Sequence, residues 1–135
     1  MSFDTLLIQE SFRVIRPRSA EFAALFYQRF FALAPDVRPL FAHMDMQHQH
    51  PAFMLSLLAV VDNLSDTGGL KKMVHALGQR HVTYQATPEY YALAGEALLT
   101  SLATMLGPSW TPAHRTAWRQ AYTLLVDLML DKPAP

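Results

Sequence analysis

The residue types and spacings that could do chemistry converge on one short stretch, Leu77-Gly78-Gln79-Arg80-His81-Val82-Thr83-Tyr84. On a 3.6-residue repeat, Leu70, Val74, Leu77, His81 and Tyr84 recur at spacings of three and four and share one helix face. His81 therefore points with apolar residues, toward an interior. Two kinds of chemistry fit that placement. An imidazole on an apolar stripe can be a hydrogen-bonded member of a core. It can also be an axial ligand to haem iron in an apolar cleft. His75 lies about 120° round the same helix, so the two histidines cannot face one ligand. His114 falls at the start of the last helix and reads as surface, and His43 reads as a solvated loop residue. Met44, Met46 and Met54 read as core or loop filler rather than thioether ligands.

The elements that must position His81 are punctuated by proline. Pro17, Pro35, Pro39, Pro51, Pro88, Pro108 and Pro112 divide the chain into segments. Each carries a 3.6-residue pattern, and none shows sustained two-residue alternation. The first helix is expected from about Asp4 to Ile15, with Leu7, Ser11, Val14 and Ile15 near one face. The second follows Pro17, with Ser19 as N-cap and Glu21 in the first turn. Its buried side is read as Phe22, Leu25, Phe26, Phe30 and Leu33, with Tyr27 beside that stripe. Pro35 opens a short helix ending at Leu40-Phe41. Residues 42–48 are expected to loop. A further helix is expected from about Gln49 to Leu64, its start fixed by Pro51, with Gln49, Phe53, Leu57, Val60 and Leu64 on one face. Gly68-Gly69 breaks the chain before the helix of His81. Thr87-Pro88 opens a helix to about Leu106, and Thr111-Pro112 opens another to about Leu130. The reading is all-α: six or seven helices packed across ridges and grooves in one unit.

Bulk properties narrow the function classes. A chain of 135 residues, 51% of them hydrophobic, suits one domain able to bury a sizeable pocket. Eleven basic and eleven acidic residues cancel, which gives nucleic-acid or anionic-membrane binding no electrostatic support. The absence of cysteine excludes disulfides, zinc–thiolate sites and thiol catalysis. The opening MSFDTLLIQESF lacks the pattern of a signal peptide, and no run approaches 18 uncharged apolar residues. A cytoplasmic protein without nucleic-acid or membrane partners is the expectation.

In this order, several stretches resemble the globins. Phe26-Tyr27, Phe30-Phe31, Pro35, Val37 and Pro39-Leu40-Phe41 resemble bacterial single-domain globins and the globin part of flavohaemoglobins. Leu77-Gly78-Gln79-Arg80-His81 resembles the proximal segment of neuroglobin and related bacterial globins. Leu106-Gly107-Pro108, Thr111-Pro112, Arg115, Ala117-Trp118 and Tyr122 resemble the last helix junction of the same group. The resemblance covers nearly the whole chain and implies a single globin domain over residues 1–135, folded around a pocket for haem b and its iron.

It also implies roles. His81 matches the proximal iron ligand, and Phe41 the phenylalanine that stacks on the haem. Tyr27 matches the distal tyrosine of bacterial globins. Gln49 matches the distal position, and Phe53 the apolar residue over the iron. Arg80 matches a position that reaches a haem propionate, and Tyr91 a tyrosine that approaches the proximal histidine. Phe41, Phe53, Leu57, Val74, Leu77 and the later helices would bury the disc, with Tyr84 on the same face as His81. Where flavohaemoglobins carry a glutamate late in the last helix, this chain has Pro133, so that network is expected to be incomplete. The flavin and nicotinamide domains of flavohaemoglobins have no counterpart here, so repeated turnover would call for a separate reductase.

The implied function is reversible, high-affinity binding or transport of oxygen and other diatomic ligands, held by donors from Tyr27 and Gln49. The enzymatic alternative is nitric oxide dioxygenation with an external reductase, and a third is a haem-based gas sensor. His48 and His50 flank Gln49, and a one-residue shift of the helix start would offer either as a sixth iron ligand.

Overall fold

The computed structural model describes residues 4–42, 45–66, 68–74 and 87–129, and every regular element among them is helical. In chain order these are α1 (Thr5–Ile15), a 3-10 turn (Arg16–Arg18) and α2 (Ser19–Leu33). A 3-10 segment (Pro35–Phe41) and α3 (Met46–Asp62) follow. Next come α4, helical over 68–74, then α5 (Pro88–Leu106), a 3-10 turn (Gly107–Ser109) and α6 (Pro112–Met129). The chain is all-α, as its periodicity predicts. Of the expected site residues, Leu77, Arg80, His81 and Tyr84 lie outside the described residues, as does Pro133.

Helix α5 is the central element, packing against α2, α6 and α1. Contact on three sides explains why Tyr91, Gly95, Ala97, Leu98, Leu99, Ser101, Leu102, Met105 and Leu106 are all buried, more than one amphipathic stripe would supply. Its ends follow the local sequence signals. Thr87 Oγ1 accepts from the Tyr90 amide at 3.2 Å, and Pro88 occupies the first turn, where a missing N–H costs nothing. At the far end Gly107 takes a φ of 55°, a conformation that a side chain resists. The junction into α6 is tied by Thr111, whose hydroxyl lies 2.8 Å from Nδ1 of His114.

Several expectations are corrected. In α1 the buried stripe is Ile8, Ser11, Phe12 and Ile15, whereas Val14 is exposed. The stripe at i, i+3, i+4 and i+7 is the one that α5 and α6 cover, with Trp118 Nε1 donating to Ser11 Oγ at 2.9 Å. Ser19 does not cap α2, because the 3-10 turn runs directly into it and Arg18 occupies the cap position. Tyr27 belongs to the buried stripe of α2 with Phe22, Ala23, Phe26 and Phe30, while Leu33 is exposed at the helix end.

Helix α3 begins three residues before the expected start. Asp45 caps it, accepting from the Gln47 amide at 3.0 Å. Residues 46–48 are therefore helical rather than loop. Pro51 falls in the second turn, where it removes the hydrogen bond to the Gln47 carbonyl. Gln47 is exposed, so water can solvate that carbonyl and the helix tolerates the loss. Gly69, expected to break the chain, instead sits in the first turn of α4. Its amide donates to Asp66 Oδ1 at 3.0 Å, and a Cβ there would lie 2.6 Å from the other carboxylate oxygen.

Candidate functional site

Packing of α2 and α3 beside α5 and α6 leaves an apolar cavity of about 230 Å³. One wall is aromatic. Phe26 of α2 stacks on Phe53 of α3, with ring centroids 4.4 Å apart and planes 12° apart. Phe41, at the end of the 3-10 segment, meets Tyr27 edge-on at 5.8 Å. Leu57 and Val60 extend this wall along α3, about two and three turns beyond Gln49. The opposite side comes from Tyr91 and Leu98 of α5 and from Tyr122, Leu125 and Met129 of α6.

One polar side-chain pair joins two helices inside this wall. Gln49 Nε2 of α3 donates to Tyr27 Oη of α2 at 2.8 Å. The two residues are 22 positions apart, so the bond depends on how α2 and α3 cross. Tyr27 is 5% exposed, and its ring is held from several sides. Phe26, Phe41 and Phe53 meet it edge-on, Phe31 is tilted against it, and His50 stacks on it. Rigid packing of this kind fixes where the hydroxyl lies.

A second polar contact lies across the cavity. Tyr122 Oη donates to the backbone carbonyl of Tyr91 at 2.6 Å. Gly95 permits this approach, since a Cβ there would meet Cε2 of Tyr122 at 2.7 Å. Burial pushes the Tyr122 phenol well above its ordinary range, and the neighbouring Tyr91 phenol adds to the rise. Burial also raises Tyr91. Both therefore remain protonated at neutral pH.

The structure thus brings Tyr27, Phe41, Gln49, Phe53, Leu57 and Tyr91 to one cavity. Val74 is wholly buried in the core and is not on the cavity wall. His48 turns away from it. Its ring is 90% exposed and lies 2.8 Å from Asp45, so α3 offers it to solvent rather than to a cavity ligand. His50 faces the ring of Tyr27 and lies off the cavity wall. Although α3 starts early, Gln49 still points inward, because a helix rotates each residue by about 100° and separates Gln49 from both histidine neighbours. The reading of the residues did not place Tyr122 in the pocket. The facing pair of Gly95 on α5 and Tyr122 on α6 is the signal that could have done so.

The chemistry of these walls suits a flat apolar group with a small polar ligand beside it: mostly aromatic and aliphatic surface, with the amide–phenol pair of Gln49 and Tyr27 on one side and the Tyr122 hydroxyl on the other. Comparison with known proteins agrees. The family model described as Globin matches residues 24–129, from α2 to the end of α6. The chain is 27% identical over 128 residues to a flavohemoprotein of Bordetella pertussis, covering 93% of this chain and 32% of that protein. It is 30% identical over 106 residues to a flavohemoprotein of Rhizobium meliloti, covering 77% of this chain and 26% of the relative. The chain therefore spans a third or less of the length of these relatives. A match that takes in most of the chain and every helix walling the cavity leaves one assignment: the chain belongs to the globin family and is a haem globin.

Proposed function

We propose that the chain is a single-domain globin, bacterial like the relatives it matches and cytoplasmic, that binds oxygen reversibly and tightly beside haem b. Among the described residues no helix is long and apolar enough to cross a membrane. The observation that carries the reading is the Gln49–Tyr27 hydrogen bond, 2.8 Å long, in a cavity with a mostly apolar lining. In this reading His81 holds the iron. Phe41, Phe53 and Leu57 pack on the disc, with Leu77, Tyr84 and Tyr91 completing its surroundings, and Arg80 meets a propionate. When bound, the haem supplies an iron that takes diatomic ligands.

The residues of the chain do the rest. Gln49 donates to Tyr27 and so turns the phenol toward a donor's role, and the amide keeps a second N–H. A diatomic ligand that draws negative charge is held by such donors. Each good hydrogen bond to a charged acceptor is worth about 1.5–3 kcal/mol, or roughly ten-fold or more in release rate. Phe26, Phe41 and Phe53 cover the Tyr27 ring on one side of the pair, and the lower local polarity there strengthens the bond.

A second reading is nitric oxide dioxygenation. The name of the matched relatives joins a flavin to a haem, and a flavin is a source of electrons. Here the electrons would come from a reductase as partner.

The test is the visible spectrum of the ferrous protein with oxygen-release rates for wild type, Tyr27→Phe and Gln49→Leu. The expected result is a single broad visible band without ligand, and release about ten-fold faster or more in each variant. A pair of sharp bands before ligand is added, or unchanged release, overturns the reading.

A further inference from the structure

The imidazole of His50 lies flat on the ring of Tyr27, with centroids 5.0 Å apart and planes 9° apart. Its neighbour in sequence, Gln49, holds the hydroxyl of the same tyrosine at 2.8 Å. Two consecutive residues of α3 thus grip one side chain of α2, one at the oxygen and one on the face. Phe26, Phe41 and Phe53 meet the ring edge-on, and Phe31 is tilted against it at 39°. Edge contacts restrain a ring's position but allow it to slide along its own plane. A stacked partner covers the face and limits tilt. His50 is off the cavity wall, so any influence it has on a ligand passes through Tyr27.

We propose that His50 is a positioning residue for the distal pair: its stacked ring sets the direction of the Tyr27 hydroxyl. This rests on the reading of Tyr27 as a ligand donor. The requirement is for a flat ring at position 50, so phenylalanine should replace histidine while alanine and leucine should not. The Leu variant fills the volume without a face to stack, which separates stacking from a simple loss of packing.

The experiment measures oxygen release from the haem-loaded protein for His50→Ala, His50→Leu and His50→Phe, each also in a Tyr27→Phe background. It also records the stretching frequency of bound carbon monoxide, which responds to nearby donors. The expected result is release about three- to ten-fold faster for Ala and Leu, with a shifted and broadened carbon monoxide band. The Phe variant should stay within about two-fold of wild type, and none of the three should add to Tyr27→Phe. If Ala and Leu release at the wild-type rate while Tyr27→Phe is fast, the positioning role is wrong and the donor reading stands. If Phe is as fast as Ala, or if the effects add to Tyr27→Phe, stacking is not the cause. If Tyr27→Phe itself changes nothing, both the donor reading and this inference fall.

Discussion

Two tyrosine hydroxyls border the same cavity and are used in opposite ways. Tyr27, on α2, accepts from a side chain of α3. Tyr122, on α6, donates to a backbone carbonyl of α5. The direction of each bond decides what the hydroxyl can do next. A phenol whose proton is aimed at a main-chain oxygen is committed to the fold, tying α6 to α5. A phenol that accepts from an amide can still donate its own proton. Both rings are tightly packed, but the packing differs in kind. Tyr27 sits among other rings, whose positions depend on side chains alone. Tyr122 sits in a gap that exists because position 95 has no Cβ. One side of the cavity is therefore held by aromatic contact around a polar pair, and the other by a close helix approach.

The largest effect expected on this comparison comes from closing that gap. Gly95→Val places carbon where Cε2 of Tyr122 lies 2.7 Å from an ideal Cβ, so α6 or the ring must move. The cost is about 2–3 kcal/mol, at the upper end for overpacking, read as a lower urea midpoint at unchanged slope. Oxygen release from the folded fraction should stay near wild type, since Tyr27 and Gln49 are on other helices. A Gly95→Val protein as stable as wild type would show that α5 and α6 are not held at this point. Next in size is Tyr122→Phe, which removes one hydrogen bond to a buried carbonyl and costs about 1 kcal/mol. Its contrast with Tyr27→Phe is the sharper result. The first should lower stability with release changed by less than about two-fold. The second should speed release by about ten-fold or more with a smaller loss of stability. Equal effects on release would erase the distinction between the two hydroxyls.

How much of this was legible from residues alone depends on the distance over which each feature is decided. The span of α5 was, because Thr87-Pro88 and Gly107 act on their own neighbours. The start of α3 was not, because Pro51 draws attention to a first turn while Asp45 caps the helix one turn earlier. The faces of α1 and α2 were legible to within one residue. Leu33 and Val14 are apolar enough to extend a stripe on paper, yet both are exposed. The site shows the same division. Tyr27 and Gln49 are singled out by the resemblance to globins rather than by type or spacing, and their bond requires the crossing of α2 and α3. The pairing of Gly95 with Tyr122 requires the crossing of α5 and α6, and no periodicity within either helix encodes it. The stacking of His50 on Tyr27 is of the same kind. From the sequence, His50 is a candidate ligand beside Gln49, and the rotation of α3 turns it to the tyrosine's face instead.

The smallest expected effect tests the burial of Tyr122 directly. Its phenol has an ordinary value of 10.0 and is raised in the folded chain, first by burial and then by Tyr91. A raised value means that the folded chain keeps a proton which the unfolded chain releases above pH 10. Stability from this source is complete below pH 10 and declines as pH rises toward the folded value. Between pH 9 and 10.5 the loss from one such group is under about 1 kcal/mol, visible as a downward bend in stability against pH. Tyr122→Phe should be less stable at pH 8 yet lose less between pH 9 and 10.5. Tyr91, also raised by burial, leaves a residual bend in that variant. If Tyr122→Phe and wild type ran parallel to pH 10.5, the hydroxyl would be titrating in water, and the close approach of α6 to α5 at Gly95 would have to be abandoned as the lock on that side of the cavity.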